Sequence, residues 1–199
     1  MGMTTNTDEQ ARLERIRVPL KAPTGIFGRI VLWYSRRTFG EVPDPAYVLS
    51  HHPAALKATM SFEGKVARWH ELDPDLKNLA QLASAAAIGC SWCVDFGYFA
   101  AHSKGQSLDK LREVPRWRES TVFTQVERDV LEYTEAMTAT PAEVTDEMVD
   151  RLVASLGVPA VVELTKMVAV ENERSRFNAA MGLSSQGFSD RCELPAPQI

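Results

Sequence analysis

The stretch that decides the fold is residues 74–105, PDLKNLAQLASAAAIGCSWCVDFGYFAAHSKG. Its first half repeats apolar residues at helical spacing, and Asp73 followed by Pro74 is typical of a helix start. Gly89 then predicts the end of this helix. The second half predicts another helix over Ser91–Ser103. The stretch therefore predicts two consecutive helices with a pair of cysteines at their junction.

The same helix signals recur in the rest of the chain. Thr124 and Glu127 have the spacing of a capping box, and a long final helix is predicted from near Pro159 to about Met181. Alternation of apolar and polar residues with period two is nearly absent. The pattern predicts an all-α, compact multi-helix bundle. Its predicted organisation is a flexible N-terminus (1–12), a single domain (13–183) that contains the 74–105 motif, and a loose C-terminal tail (184–199).

Residues 26–39, IFGRIVLWYSRRTF, form a further amphipathic segment. Helical spacing places Arg29, Arg36 and Arg37 toward water. We expect the apolar side of this segment to pack either on the body of the protein or on another subunit.

Composition limits the function classes. The chain has 199 residues, 45% of them hydrophobic and 24% charged, which is ordinary for a globular protein. A net charge of −4 argues against a nucleic-acid partner. The start, MGMTTNTDEQ, lacks the features of a secretory signal, and the apolar stretches are too short to predict a membrane span. Three sparse cysteines do not indicate a disulfide scaffold, so we expect a reducing, cytoplasmic compartment.

The densest chemical signal is GCSWC, residues 89–93. Cys90 and Cys93 are three residues apart at a helix start, where the unpaired amides and the helix dipole favour the reactive thiolate. Cys90, nearer the helix start, should gain most from this effect. Redox chemistry, an inert buried pair and a metal site are the three interpretations. The metal site is disfavoured because no second CxxC completes four ligands, and no cofactor is indicated. Cys192 is interpreted as a bystander.

Residues 76–105 resemble the core motif of the carboxymuconolactone decarboxylase and alkyl hydroperoxidase D-like superfamily, and residues 123–183 resemble the region after it. Together the similarity spans about 53–183. It implies an all-α fold that assembles as homo-oligomers. It also implies a peroxidase in which the second cysteine, Cys93, attacks the hydroperoxide and the first, Cys90, resolves the product. That order conflicts with the helix-dipole argument, and the sequence leaves both orders open.

The chain departs from the superfamily pattern at two positions. Hydroperoxidase members continue C-x-x-C-x-x-x-H and carry a glutamate on the preceding helix, whereas this chain has Gly97 and Asn78 there. His102 lies about 180° around the helix from Cys93 and about 13 Å along it, so it can support only a neighbouring subunit or the structure. A base from elsewhere in the chain is the other option. The candidates are Glu63, His70, Glu71 and Glu171.

The leading hypothesis is a thiol-dependent oxidoreductase that reduces a small peroxide or disulfide through Cys90 and Cys93, with an external thiol as electron donor. Two alternatives stay open. One is a non-catalytic oligomeric binding or structural member of the superfamily, in which the aromatic residues around the motif line an apolar pocket or interface. The other is a lactone decarboxylase, which needs no dithiol. Cys90 and Cys93 are the predicted catalytic residues, with His102 and Glu171 as candidates for support.

Overall fold

Helices form all the regular secondary structure of residues 6–192, the part of the chain that the computed structural model describes, and no strand occurs within it. The predicted all-α fold is confirmed. Two short 3-10 helices, Val114–Arg116 and Ser189–Cys192, accompany the α-helices. The α-helices are α1 (Asn6–Arg15), α2 (Gly25–Phe39), α3 (Asp44–Leu49), α4 (Pro53–Val66), α5 (Pro74–Ile88), α6 (Ser91–His102), α7 (Leu108–Glu113), α8 (Gln125–Thr138), α9 (Asp146–Leu156) and α10 (Val158–Met181).

Helix α5 begins and ends where the sequence predicts. The Asp73 carboxylate accepts hydrogen bonds from the backbone N–H groups of Asp75 and Leu76, which have no partner inside the helix. At the other end Gly89 adopts a left-handed conformation with φ of 79°, which a residue without Cβ tolerates at little cost. These two local signals fix the position of the cysteine pair just beyond α5.

Helix α5 lies at the centre of the bundle and packs against α6, α8 and α10. Leu79 of α5, Leu131 of α8 and Leu164 of α10 are completely buried. The predicted capping box at the start of α8 is present, with the Thr124 and Glu127 side chains each bonded to the other residue's backbone N–H. The core therefore holds α5, α6 and α10 in a fixed arrangement around the cysteines.

Both predicted loose ends differ from the structure where it describes them. Helix α1 occupies residues 6–15, and Arg12 forms an ion pair with Asp44 at the start of α3. The tail predicted to be loose from Ser184 is folded onto the body as far as residue 192, and Phe188 within it is fully buried. The C-terminal segment is ordered because a buried carboxylate accepts hydrogen bonds from it. Residues 1–5 and 193–199 lie outside the described part of the chain.

Helix α2 is attached to the body by a narrow strip of its surface. Its buried positions are Gly28, Val31 and Ser35, which repeat at helical spacing. Its three arginines are exposed, as predicted. Large apolar side chains of α2 are exposed as well: Ile26, Phe27, Ile30, Trp33 and Tyr34. Among residues 6–192, no helix is long and apolar enough to cross a lipid bilayer.

Candidate functional site

The cysteine pair lies at the junction of α5 and α6. Cys90 is the N-cap of α6 and Cys93 is in its first turn, with the two Cα atoms 5.3 Å apart and the two sulfurs joined in a disulfide. The Cys90 sulfur also accepts a hydrogen bond from the Cys93 backbone N–H at 3.2 Å. Both residues are buried, but unequally, with 1% of Cys90 and 8% of Cys93 exposed. The arrangement can store and release two electrons as a dithiol and disulfide couple.

A side-chain amide from α10 reaches the second sulfur. Asn178 Nδ2 lies 3.3 Å from Cys93 Sγ and donates a hydrogen bond to it. Asn178 is itself buried, and 85 residues separate it from Cys93. Sequence reasoning missed this residue. The available signal was a polar side chain on the face of a predicted helix that also presents apolar residues to the core.

An aromatic cluster covers the outer side of α6 beside the disulfide. Trp92 stacks on Phe96 with ring centroids 5.1 Å apart, and the edge of Phe188 meets Phe96 at 5.2 Å. Phe39, from the end of α2, contacts the same Phe96 ring at 5.2 Å. The cluster therefore joins α2, α6 and the C-terminal segment, and keeps water from one side of the site.

The C-terminal segment is held by one buried carboxylate. Asp95 on α6 accepts four backbone hydrogen bonds, from residues 186–189, at 2.7 to 3.1 Å. Gly187 has φ of 82° there, so the chain can curl its N–H groups around the carboxylate. Gln186 adds its side chain, which accepts from Trp92 Nε1 and donates to Val42 O. The sequence analysis did not predict this anchoring role of Asp95.

The histidine position of the superfamily motif, Gly97, is packed against α5. A Cβ atom at Gly97 would lie 2.8 Å from Cδ2 of Leu82, which is 3% exposed. The space into which a side chain at position 97 would project is therefore filled by Leu82. A histidine at position 97 would therefore require Leu82 to move.

The glutamate position, Asn78, lies one turn before Leu82 on α5. Asn78 is 5% exposed, and its side-chain N–H2 group has no hydrogen-bond partner among the described residues. An amide there is a donor as well as an acceptor, unlike an ionised carboxylate. The structure thus offers no carboxylate at this position for a proton relay.

We predict that reintroducing the histidine destabilises the protein. Gly97→His should lower the free energy of unfolding by about 1–3 kcal/mol, because Leu82 must leave its preferred position. Combining it with Leu82→Ala, which alone should cost about 2–5 kcal/mol, removes the clash, so the double variant should lose less than the two separate losses together. Chemical denaturation of all four proteins measures this coupling. Strictly additive losses would contradict the packing explanation.

The structure does not bring the histidine candidates to the disulfide. His102 is exposed at the last position of α6. His70 is largely on the surface, where its ring contacts the carbonyl of Arg68. Glu71 is exposed, and its backbone N–H donates to the Glu163 carboxylate at 2.7 Å.

Glu171 and Glu63 are the remaining candidates, and Glu171 is buried on α10. Its carboxylate accepts hydrogen bonds from Ser175 Oγ at 2.9 Å and from Arg174 Nη1 at 3.1 Å. Burial raises the pKa of Glu171, while Arg174 and Ser175 act in the opposite direction. Arg174 also forms a two-pronged ion pair with Glu63 on α4. The carboxylate therefore stabilises the junction of α4 and α10, and Asn178, seven residues later, is the α10 residue that contacts the sulfur.

Neither a metal cluster nor a third thiol joins the pair in the described residues. No group of three or more His, Cys, Asp or Glu side chains among them could hold a metal ion. Cys192 ends the last 3-10 helix, Ser189–Cys192, and its side chain lies outside the described part of the structure.

The chain is similar to known proteins over most of its length. A sequence model of the carboxymuconolactone decarboxylase family matches residues 53–136. The uncharacterised protein YnjA of Escherichia coli K12 is 35% identical over 164 residues, which cover 82% of this chain and 88% of YnjA. The family match at residues 53–136 contains α4 to α7 and most of α8, and therefore both cysteines.

Solved structures share the fold. One is ATU0492 from Agrobacterium tumefaciens, a protein of unknown function for which an AhpD role in antioxidant defence has been suggested. It is 25% identical, with a TM-score of 0.65 and coverage of 69% of this chain and 94% of that one. Another is an AhpD-core, peroxidase-related protein from Ralstonia eutropha JMP134, at 16% identity. Its TM-score is 0.76 and the match covers 87% of this chain and 94% of that one. The second likeness concerns the fold alone.

Proposed function

Since the chain belongs to the carboxymuconolactone decarboxylase family, we propose that it is a thiol-dependent peroxidase of the alkyl hydroperoxidase D type, cycling between the Cys90–Cys93 dithiol and disulfide. The observation that carries the proposal is the pair itself, bonded at the start of α6, where the Cys90 sulfur accepts a hydrogen bond from the Cys93 backbone N–H. A helix N-terminus stabilises a thiolate, which is the form that attacks peroxides.

The proposed reaction has two steps in the protein. The Cys93 thiolate attacks one oxygen of a hydroperoxide, the O–O bond breaks, and the alkoxide takes up a proton to leave as an alcohol. Cys93 is then a sulfenic acid. Cys90 attacks its sulfur as a thiolate, and hydroxide leaves and becomes water with the proton that Cys90 released. The two thiols have lost two electrons and the peroxide has gained them.

An external dithiol closes the cycle by thiol–disulfide exchange. It attacks one sulfur of the disulfide, passes through a mixed disulfide and leaves oxidised, which restores both cysteines. A reducing cytoplasm would supply such a donor. A small disulfide in place of the peroxide would oxidise the same dithiol by thiol–disulfide exchange and leave as two thiols.

The difference in exposure supports Cys93 as the attacking residue. A hydroperoxide must reach the attacked sulfur from outside, and 8% of Cys93 is exposed against 1% of Cys90. The resolving thiol meets its target from inside the protein, so burial does not hinder it. This order agrees with the one that the family resemblance implies.

The test is a count of free thiols. The reduced protein is mixed with hydrogen peroxide or with an alkyl hydroperoxide, and remaining thiols are titrated over time. We expect two thiols to disappear together for each peroxide consumed, and a dithiol reductant to restore both. Loss no faster than that of a free small-molecule thiol would contradict the proposal.

One alternative has a specific observation in its favour. Leu82 fills the space beside Gly97, and Asn78 replaces the carboxylate, so the proton relay of the superfamily pattern is missing at both positions. A non-catalytic binding or structural role is compatible with that loss. Measured thiol pKa values of about 8.5 or above for both cysteines would favour this alternative, because neither would then be activated.

We propose in addition that α2 docks against a second copy of this chain. The helix carries three arginines and no acidic residue, while the chain as a whole has a net charge of −4, so the remaining surface is negative. Its exposed apolar residues include Ile30 at 56% and Trp33 at 66%. Docking on another copy would pair the basic charge of α2 with that copy's acidic surface and would bury the exposed apolar side chains of α2.

Substituting the exposed face of α2 should therefore change the oligomeric state. Ile30→Glu combined with Trp33→Glu is expected to convert an oligomer to a monomer, measured by light scattering after size exclusion. Val162→Glu is the matched control, since Val162 on α10 is 62% exposed. A monomeric wild-type protein, or an oligomer unchanged by the double substitution, would contradict the docking proposal.

A further inference from the structure

We infer that Asn178 is a catalytic residue that stabilises the Cys93 thiolate, in place of the relay that this chain lacks at positions 78 and 97. The inference deepens the proposed function and rests on it. Asn178 meets the definition of a catalytic residue because its amide touches the reacting sulfur atom.

The contact is short enough to act on the sulfur. Asn178 Nδ2 lies 3.3 Å from Cys93 Sγ, within the range of an N–H···S hydrogen bond, and Asn178 is 3% exposed. Water is therefore largely excluded as a competing partner. A hydrogen bond to an ionised group in such surroundings is stronger than one to a neutral group. The contact is present in the disulfide, and the same amide, kept in place after reduction, favours the thiolate over the thiol at Cys93.

The chemistry of an amide differs from that of the missing relay. A carboxylate or an imidazole can take a proton from the thiol, whereas an amide donates hydrogen bonds without changing its protonation state. Asn178 can hold the thiolate before attack and the sulfenate oxygen after it, but the protons must travel by way of solvent. It thus supplies electrostatic stabilisation alone.

The C-terminal end of α10, which carries Asn178, is held in place by hydrogen bonds from residues outside this helix. Arg17 donates its backbone N–H to Met181 O at 3.0 Å and its side-chain Nη1 to Ala180 O at 2.7 Å. The Asn178 carbonyl accepts the backbone N–H of Leu183 at 3.0 Å. The amide is therefore preorganised toward the sulfur, which such a donor needs in order to be effective.

The buried carboxylates on α6 and α10 in the described residues are engaged elsewhere. Asp95 accepts from the backbone amides of residues 186–189, and Glu171 accepts from Ser175 and Arg174. Glu163 is paired with Lys77 of α5. Among the described residues of these helices, Asn178 is the side chain that donates a hydrogen bond to Cys93 Sγ.

The test isolates one thiol and measures its ionisation. Cys90→Ser combined with Cys192→Ser leaves Cys93 as the sole thiol of the chain, and serine at position 90 keeps an N-cap residue on α6. In this background, reduced protein is titrated by thiolate ultraviolet absorbance with Asn178 intact, with Asn178→Leu and with Asn178→Asp. Asn172→Leu is the matched control, because Asn172 on the same helix donates to Ser84, Thr138 and the Val168 carbonyl.

We expect Asn178→Leu to raise the pKa of the Cys93 thiol by about one unit, which reduces the thiolate fraction about tenfold below that pKa. Asn178→Asp should raise it at least as much, since a carboxylate repels the thiolate. Asn172→Leu should leave it unchanged. The Asp variant keeps the test valid if the Leu variant fails to fold.

Two outcomes would overturn the inference: a pKa unchanged in both Asn178 variants, or an equal rise in the Asn172 control. The result is separable from the proposed function. A raised pKa in a protein that does not consume peroxide would refute the peroxidase and leave the role of Asn178 at the sulfur standing. Peroxide consumption with an unchanged pKa would support the peroxidase and refute the role of Asn178.

Discussion

Cys93→Ser is expected to abolish peroxide consumption, lowering its rate by a factor of about 10³ or more, because the attacking sulfur itself is removed. Cys93 is the more exposed member of the pair and receives the Asn178 hydrogen bond. Serine nearly preserves the shape of the side chain, so the fold should persist. The measurement is hydroperoxide loss with a dithiol donor in excess.

Cys90→Ser provides the contrast that identifies each role. Without the resolving thiol, one equivalent of peroxide should still be consumed, and Cys93 should accumulate as a sulfenic acid that a carbon nucleophile traps for mass spectrometry. Cys192→Ser controls for the remaining thiol. Sulfenic acid on Cys90 in the Cys93→Ser variant, with none on Cys93 in the other, would reverse the proposed order and restore the helix-dipole argument.

Asp95→Ala is expected to produce a large loss of stability, about 3–5 kcal/mol in the free energy of unfolding, since a buried carboxylate with several bonded amides is removed. Four backbone N–H groups of residues 186–189 lose their acceptor at once. The segment can recover solvation only by leaving the body, which would expose Phe188. Urea denaturation measures the loss.

Asp190→Asn is the control for Asp95→Ala. Asp190 lies beside the same turn, and burial together with the negative charge of Asp95 raises the pKa of its carboxyl. Removing this second charge should therefore leave stability unchanged or slightly improved. A loss in Asp190→Asn as large as in Asp95→Ala would show that negative charge in the region, rather than the Asp95 hydrogen bonds, holds the segment.

Local signals predicted the helices around the site closely. Asp73 and Gly89 bound α5 at the predicted residues, and Thr124 with Glu127 starts α8 as predicted. These signals act within one helical turn, between residues that stay neighbours whatever the rest of the chain does. For the same reason the sequence predicted that Cys90 and Cys93 lie at the start of α6. Helix geometry alone predicted that His102 points away from them.

The partners of the site could not be predicted in that way. Leu82 beside Gly97 depends on how α5 and α6 pack, and the 184–192 segment is ordered by a carboxylate nearly a hundred residues earlier in the chain. A polar tail with two prolines is typical of a loose end when read by composition. Composition alone does not show that Asp95 accepts four hydrogen bonds from this segment.

The sequence by itself determined that the protein is helical, that its two cysteines share the start of one helix, and which family pattern they follow. Only the tertiary structure decided what surrounds the sulfurs: the Asn178 amide from 85 residues away, the unequal exposure of the two cysteines, and Leu82 in the space of the absent histidine. The physical reason is one of range. Capping and periodicity are set by adjacent residues, whereas the ionisation of a buried thiol is set by whichever side chains the packed core brings within hydrogen-bonding distance.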